Sequence, residues 1–433
     1  MKSKVLQKIF LIALIFGLGA GSNYLYLNKL KPSSQISQTI EKDDYLAFLS
    51  EVYDLIQENY WDKISDEKLT ELFQLGVEKI TGQPQMSKAK DKSSLFKSLA
   101  KTVNKQEDKT KKKELVAQLA DVVLANLQPF GRNRLYTKKE ETALDNTVKN
   151  INPEVDQYEI LEVEKQASSE KIEMAYQEKR TELEPKKDTS PEAKQEYEQV
   201  EQAYKALSDE DNRKLYDTSG VEPTMDYQLI SPEIFYLHIK KFSPTTFDEL
   251  KRVTEKVDDQ EGLDTLILDL RDNVGGAIDG LPYFLGPFIG PDQYAYEFFH
   301  QEEKTPFKTK TGWLPSLVRY KKMVILINEN TQSSAEAMAA VLKKYNVGIV
   351  VGTPSKGWGT VERVFPLDKQ LDPSETYSVF LVHSLVLRDD GQPIEGKGVE
   401  PLINITDSDW ESQLYSYFHY QDLVGAVKEV LEL

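Results

Sequence analysis

"MVILINENTQSSAEAMAAVL", Met323 to Leu342, runs from an apolar stretch through two adjacent serines into an alanine-rich stretch. Five apolar residues closed by polar ones read as a buried strand, and the run after them reads as a helix. A serine between the two sits at the carboxyl edge of the strand, where a helix begins. Its ordinary reading is an N-cap. Its other reading is a nucleophile, which requires a neighbour that takes its proton, because a free hydroxyl is a weak nucleophile near neutral pH.

Around this stretch the same alternation recurs from Tyr227 onward, in "IFYLHIKKF", "LDTLILDL", "VGIVVG" and "YSVFLVHSLVL", with helical runs between them and a closing helix "DLVGAVKEVLEL". Short strands alternating with helices imply an α/β domain around a mostly parallel sheet. "LILDLRDNVGG", Leu266 to Gly276, ends a strand in two glycines. Gly275 and Gly276 allow a turn with exposed amides, the arrangement an oxyanion hole needs, although a strand commonly ends in a simple glycine turn.

The segments before Tyr227 differ in character. "MKSKVLQKIFLIALIFGLGAGS" places Lys2, Lys4 and Lys8 before the apolar run Ile9 to Leu27, which is about long enough to span a bilayer. A signal-anchor helix over 1–30 is therefore expected, giving a single-pass membrane protein with an extracytoplasmic body, with a signal peptide cleaved at the small-residue stretch "GLGAGS" as the alternative. From Asp44, Leu46, Leu49, Val52, Tyr53 and Ile56 recur at helical spacing, so 44–150 reads as a helical N-terminal region whose helices need a partner surface. Its lysine-rich part, 87–113, reads as a solvated helix or linker. Residues 152–220 carry 10 basic against 19 acidic residues, a net −9. Two stripes there, Ile172, Ala175, Tyr176 and Leu183, then Tyr197, Val200, Ala203, Tyr204 and Leu207, predict two antiparallel helices that bury their faces on each other.

The formal charge of −17 argues against a nucleic-acid partner. The absence of cysteine excludes disulfides, thiolate metal sites and a cysteine nucleophile. His238, His300, His383 and His419 show no metal spacing, and no metal or cofactor is expected. A Ser-His-Asp triad through His238 or His383 stays open, since triad members need no fixed spacing, while strand packing is the ordinary reading of these histidines.

Three ordered blocks, "LILDLRDNVGG", "NENTQSSAEAMAAVLKKYNVGIVVGTPSKGWGTVE" and "LVLRDDGQPIEGKGVEPLINI", resemble the tail-specific, or carboxyl-terminal processing, serine peptidase family. The likeness is loose over 44–134 and close over 227–433. It implies an α/β peptidase domain of the ClpP/crotonase-like kind over 227–433, beside an all-α N-terminal region and an all-α insert. It further implies a polypeptide substrate or ligand, a serine nucleophile and a lysine base. Carried over without gaps, the nucleophile is Ser333, and the oxyanion donors are the amides of Ser334 and of Gly275 or Gly276. The base position falls on Trp358 and the family's glutamine on Glu362. An indole N–H donates only and cannot accept the serine proton. Lys356, two residues earlier, is the candidate for a displaced base. A pseudopeptidase that binds peptide without turnover is the alternative.

The insert, "DQYEILEVEKQASSEKIEMAYQEKRTELEPKKD" with "YEQVEQAYKALSDEDNRKLYDTSG", resembles a DnaJ-type J-domain and stands where processing peptidases usually carry a PDZ domain. The His-Pro-Asp turn of that family aligns with Glu184, Pro185 and Lys186, so activation of a DnaK-type chaperone is not expected.

Overall fold

Strands β4 (Thr265–Asp269) and β7 (Lys322–Ile327) are nearly continuous apolar runs, and their alternate residues go to opposite sides of one sheet. Leu266, Leu268, Ile325 and Ile327 enter one core, with the helices Thr246–Lys256, Leu281–Ile289 and Ser334–Lys344. Ile267, Val324 and Leu326 enter another, against the helices Trp410–Phe418 and Gln421–Glu432. The computed structural model describes residues 40, 42–83 and 89–432. Its larger sheet has the order β11-β8-β7-β4-β3-β2, with β2 (Met225–Ser231), β3 (Ile234–Ile239), β8 (Ile349–Gly352) and β11 (Ile403–Asn404). All pairings in it are parallel except β2 with β3. Parallel strands end on one side, so the loops after β3, β4, β7 and β8 gather at a single edge.

A second, antiparallel sheet lies outside the expectation of one mostly parallel sheet. Its order is β1-β10-β5-β6, with β1 (Arg134–Thr137), β5 (Tyr294–His300), β6 (Glu303–Lys308) and β10 (Tyr377–Leu387), and with β9 (Thr360–Pro366) also on β10. β1 comes from the stretch read as helical, and it pairs Arg134 with Phe380 across most of the chain.

This sheet is the partner surface the N-terminal helices need. Helices Asp44–Asn59, Asp66–Thr81, Lys92–Asn104 and Lys109–Ala125 share one core with Tyr377, Val379 and Leu381 of β10. The lysine-rich part is not merely solvated, because Leu95, Phe96, Leu99 and Val103 form a buried stripe on helix Lys92–Asn104. Within 152–220, helices Ser169–Leu183 and Pro191–Ser208 bury Ile172, Tyr176, Leu183, Val200, Ala203 and Leu207 in a core of their own. The Tyr176 and Tyr204 rings stack at 3.9 Å. Glu184, Pro185 and Lys186 form a single 3-10 turn between the two helices.

The membrane expectation is corrected. Among the described residues no helix is long and apolar enough to cross a membrane. Charges interrupt even helix Pro191–Ser208, at Glu192, Lys194, Glu196, Glu198, Glu201 and Lys205. The run Ile9 to Leu27 lies outside the described residues.

Candidate active site

Three loops meet at the carboxyl edge of the parallel sheet: 271–276 after β4, 328–333 after β7 and 353–359 after β8. Hydrogen bonds fix the first two together. Asn328 Nδ2 and Asn330 Nδ2 donate to Asp272 Oδ1 at 3.0 and 2.9 Å, and Thr331 Oγ1 donates to the Leu270 carbonyl at 2.8 Å. The Gln332 amide donates to the Asn273 carbonyl at 3.0 Å.

Ser333 immediately precedes helix Ser334–Lys344, with φ 58° and ψ −122°. A side chain at positive φ outside the left-handed helical well costs of order 1–3 kcal/mol and persists where surrounding contacts enforce it. The neighbouring turn is one such contact. A Cβ on Gly275, itself at φ +83°, would lie 2.6 Å from Ser333 Cβ and 3.1 Å from its hydroxyl, so only glycine permits this approach. A Cβ on Gly276 would collide with the Phe242 carbonyl at 2.0 Å.

Of the three candidate oxyanion donors, Gly275 N–H is committed to Asn273 Oδ1 at 2.8 Å. The Gly276 and Ser334 amides have no acceptor among the described residues, and the Ser334 hydroxyl donates to the Gly276 carbonyl at 3.0 Å. That bond ties the helix start to the glycine turn. Two uncommitted amides beside a serine hydroxyl match the donor set that would stabilise a tetrahedral oxyanion.

Proton transfer is less well provided. Among the described residues no histidine or lysine hydrogen-bonds the Ser333 hydroxyl. His238 Nε2 lies 3.0 Å from the Arg271 carbonyl. His300 and His383 stack on each other at 4.2 Å, and burial, with Arg363 and His300 adding to it, lowers His383 to about 3. His419 ends a helix in the left-handed region.

Trp358 is held from several sides. The Arg132 guanidinium lies 4.0 Å from the indole centroid, within cation–π range. Arg132 Nη1 also donates to Thr360 Oγ1 and Glu395 Oε2, each at 2.7 Å. Trp358 Nε1 donates to Glu362 Oε1 at 3.4 Å, and the Thr360 hydroxyl donates to the same oxygen at 2.6 Å. Burial pushes the Glu362 carboxyl up, against the pull of these donors. Lys356 is exposed, with its amine 5.7 Å from the indole centroid and its backbone N–H on the Thr331 carbonyl at 3.0 Å.

Residue-by-residue reading of the sequence passed over the group that joins these loops. Glu336, fully buried in the first turn of helix Ser334–Lys344, accepts four hydrogen bonds. Oε2 receives the amides of Ser333 and Trp358, each at 2.8 Å. Oε1 receives the Ser355 hydroxyl at 2.6 Å and the Gly357 amide at 2.7 Å. Burial pushes its carboxyl up while the four donors pull it down. The signal was available: serine followed three positions later by glutamate is the capping-box spacing. Arg132 carried no such signal, since it meets Thr360 from 228 positions away.

Residues 233–405 match Peptidase family S41, and residues 156–217 match the DnaJ domain. A probable CtpA-like serine protease of Staphylococcus epidermidis is 29% identical over 176 residues, covering 41% of this chain and 34% of the relative. A carboxy-terminal-processing protease of Bartonella bacilliformis is 27% identical over 178 residues, covering 40% of this chain and 39% of the relative. The chain thus spans little more than a third of the curated relatives it matches. Among solved structures, a photosystem II D1 C-terminal processing protease aligns at 14% identity and TM-score 0.48, over 84% of this chain and 93% of that one. A lipoprotein from Streptococcus agalactiae aligns at 13% identity and TM-score 0.44, over 91% and 99%. A segment similar to Peptidase family S41, preceded by one similar to the DnaJ domain, is what these matches show.

Proposed function

We propose that this chain is a C-terminal-processing-type serine peptidase homologue that engages polypeptide at the Ser333 edge and hydrolyses it weakly or not at all. The carrying observation is the indole at position 358, stacked on Arg132 and hydrogen-bonded to Glu362, where the family resemblance calls for a proton acceptor. The uncommitted amides of Gly276 and Ser334 support a retained oxyanion site, which alone can sustain residual catalysis. A division into a helical N-terminal region 44–150, a J-like domain 152–220 and a peptidase domain 227–433 is part of the same proposal, supported by the separate core of the second unit.

The test is cleavage of an unfolded protein by the unmodified chain, compared with Ser333→Ala. Weak turnover that Ser333→Ala removes, or none alongside measurable polypeptide binding, agrees with the proposal. A second reading, full activity through Lys356, draws on the closeness of its amine to the indole face. Robust turnover abolished by Lys356→Ala would establish that reading and overturn the first.

A further inference from the structure

Glu336 receives one hydrogen bond from the nucleophile candidate's own backbone and three from the segment 355–358. Nothing else described joins both groups through one side chain. Because a single carboxylate oxygen accepts from Ser333 N–H and Trp358 N–H, the two amides are held within one hydrogen-bonding radius of a common point. A charged acceptor bonded to backbone donors is among the stronger and more directional of protein contacts. Ser355 adds a further link, since its hydroxyl oxygen also accepts the Val399 amide at 2.7 Å.

We propose that Glu336 is a positioning residue: it holds the positive-φ backbone of Ser333 and the loop bearing residue 358 as one unit, and so sets the distance from the serine hydroxyl to whatever side chain occupies 358. This rests on the reading of Ser333 as the nucleophile position. The consequence is that the site keeps its geometry even with an indole in place of a base, because the clasp is independent of side chain 358. The hydrogen bonds that the Glu336 carboxylate accepts from Ser333 and Trp358 both come from backbone amides.

The experiment follows amide hydrogen exchange in the full chain labelled with 15N-tryptophan, in which Trp61, Trp313, Trp358 and Trp410 give four backbone probes. Trp358→Phe assigns the relevant signal. In Glu336→Gln, one position can no longer accept, and the charge that strengthens the bonds kept by the other oxygen is lost whichever way the amide turns. The Trp358 amide is expected to exchange about ten- to a hundredfold faster while the other three keep their rates. Unchanged protection at Trp358, or equal loss at all four, overturns the proposal, the latter by showing a purely global role. Should Glu336→Gln fail to fold, Ser355→Ala removes one donor and is expected to give the same local pattern more weakly; unchanged exchange there overturns it equally. A second arm adds Glu336→Gln to the Trp358→Lys, Glu362→Gln double variant, where kcat is expected to fall about tenfold or more with KM unchanged. The exchange arm needs no turnover. A local loss at Trp358 without any activity in the second arm therefore leaves the clasp standing and removes only the catalytic reading of Ser333.

Discussion

Trp358→Lys combined with Glu362→Gln is expected to raise Ser333-dependent hydrolysis of polypeptide. A lysine has an ordinary pKa of about 10.4 and must lose its proton to serve as base. Its amine would enter the volume that the indole now fills, where the Arg132 guanidinium lies 4.0 Å from the ring centroid. Two like charges at that separation repel by about 4 kcal/mol at an effective dielectric of about 20, equal to a depression of about 3 pKa units. Glu395, paired with the same guanidinium at 2.7 Å, offsets part of this. With half the effect surviving, the pKa falls to about 9 and about a tenth of the amine is neutral at pH 8. General-base assistance of about 10² to 10⁴-fold then becomes a gain of about 10 to 10³-fold at pH 8. Glu362 left as a carboxylate would raise the lysine pKa again, so Trp358→Lys alone should gain much less. Hydrolysis of a fluorescence-quenched unfolded protein, followed over about pH 6 to 10, reads both the gain and the midpoint of the acid limb. Arg132→Gln added to the pair should move that midpoint upward by at least about 1.5 units, the part of the depression that survives the Glu395 offset. A folded double variant with no gain at any pH, or a gain that survives Ser333→Ala, refutes the reasoning; a limb that ignores Arg132→Gln refutes the role given to the guanidinium.

Gly275→Ala places a methyl 2.6 Å from Ser333 Cβ at a backbone φ of +83° and should cost about 2–4 kcal/mol in denaturant titration, with loss of any Ser333-dependent activity; a cost below about 1 kcal/mol contradicts the described approach. His383 is lowered to about 3 by burial, so the folded state favours its neutral form: its contribution is full above about pH 6.5 and declines as pH falls toward 3, with a slope of up to about 1.4 kcal/mol per pH unit. Stability of His383→Gln should depend less on pH in that window, and parallel profiles would exclude His383 as the cause. The fragment 152–220 should melt cooperatively by far-ultraviolet circular dichroism because it owns a buried core, and a featureless melt would show that it needs the rest of the chain.

The α/β centre was legible because β4, β7 and β8 are apolar runs whose ends carry the glycines and serines that the site uses. The pairing within 152–220 was legible for a similar reason, since its stripes are local and helical. The antiparallel sheet was not, because β10 gains its partners from Arg134–Thr137 and Tyr294–His300, and no local period announces which strand meets which. Lysines masked the buried stripe of helix Lys92–Asn104, whose apolar residues are few but correctly spaced. In the candidate site, Ser333 and the glycines were placed by motif, and the indole at 358 by its departure from the motif. The groups that surround that indole, Arg132, Glu395 and Glu336, act through tertiary contacts that a linear reading does not contain.

The pairing of Arg134 with Phe380 also bears on how the chain is made. It closes a loop of about 250 residues, and the four N-terminal helices finish their core only on β10. At about 5–20 residues per second, their apolar faces wait roughly ten to fifty seconds during synthesis for the strand that covers them. The segment 152–220 emerges in that interval and has a core it can close without waiting. It would then stand as a finished, acidic unit between two unfinished halves.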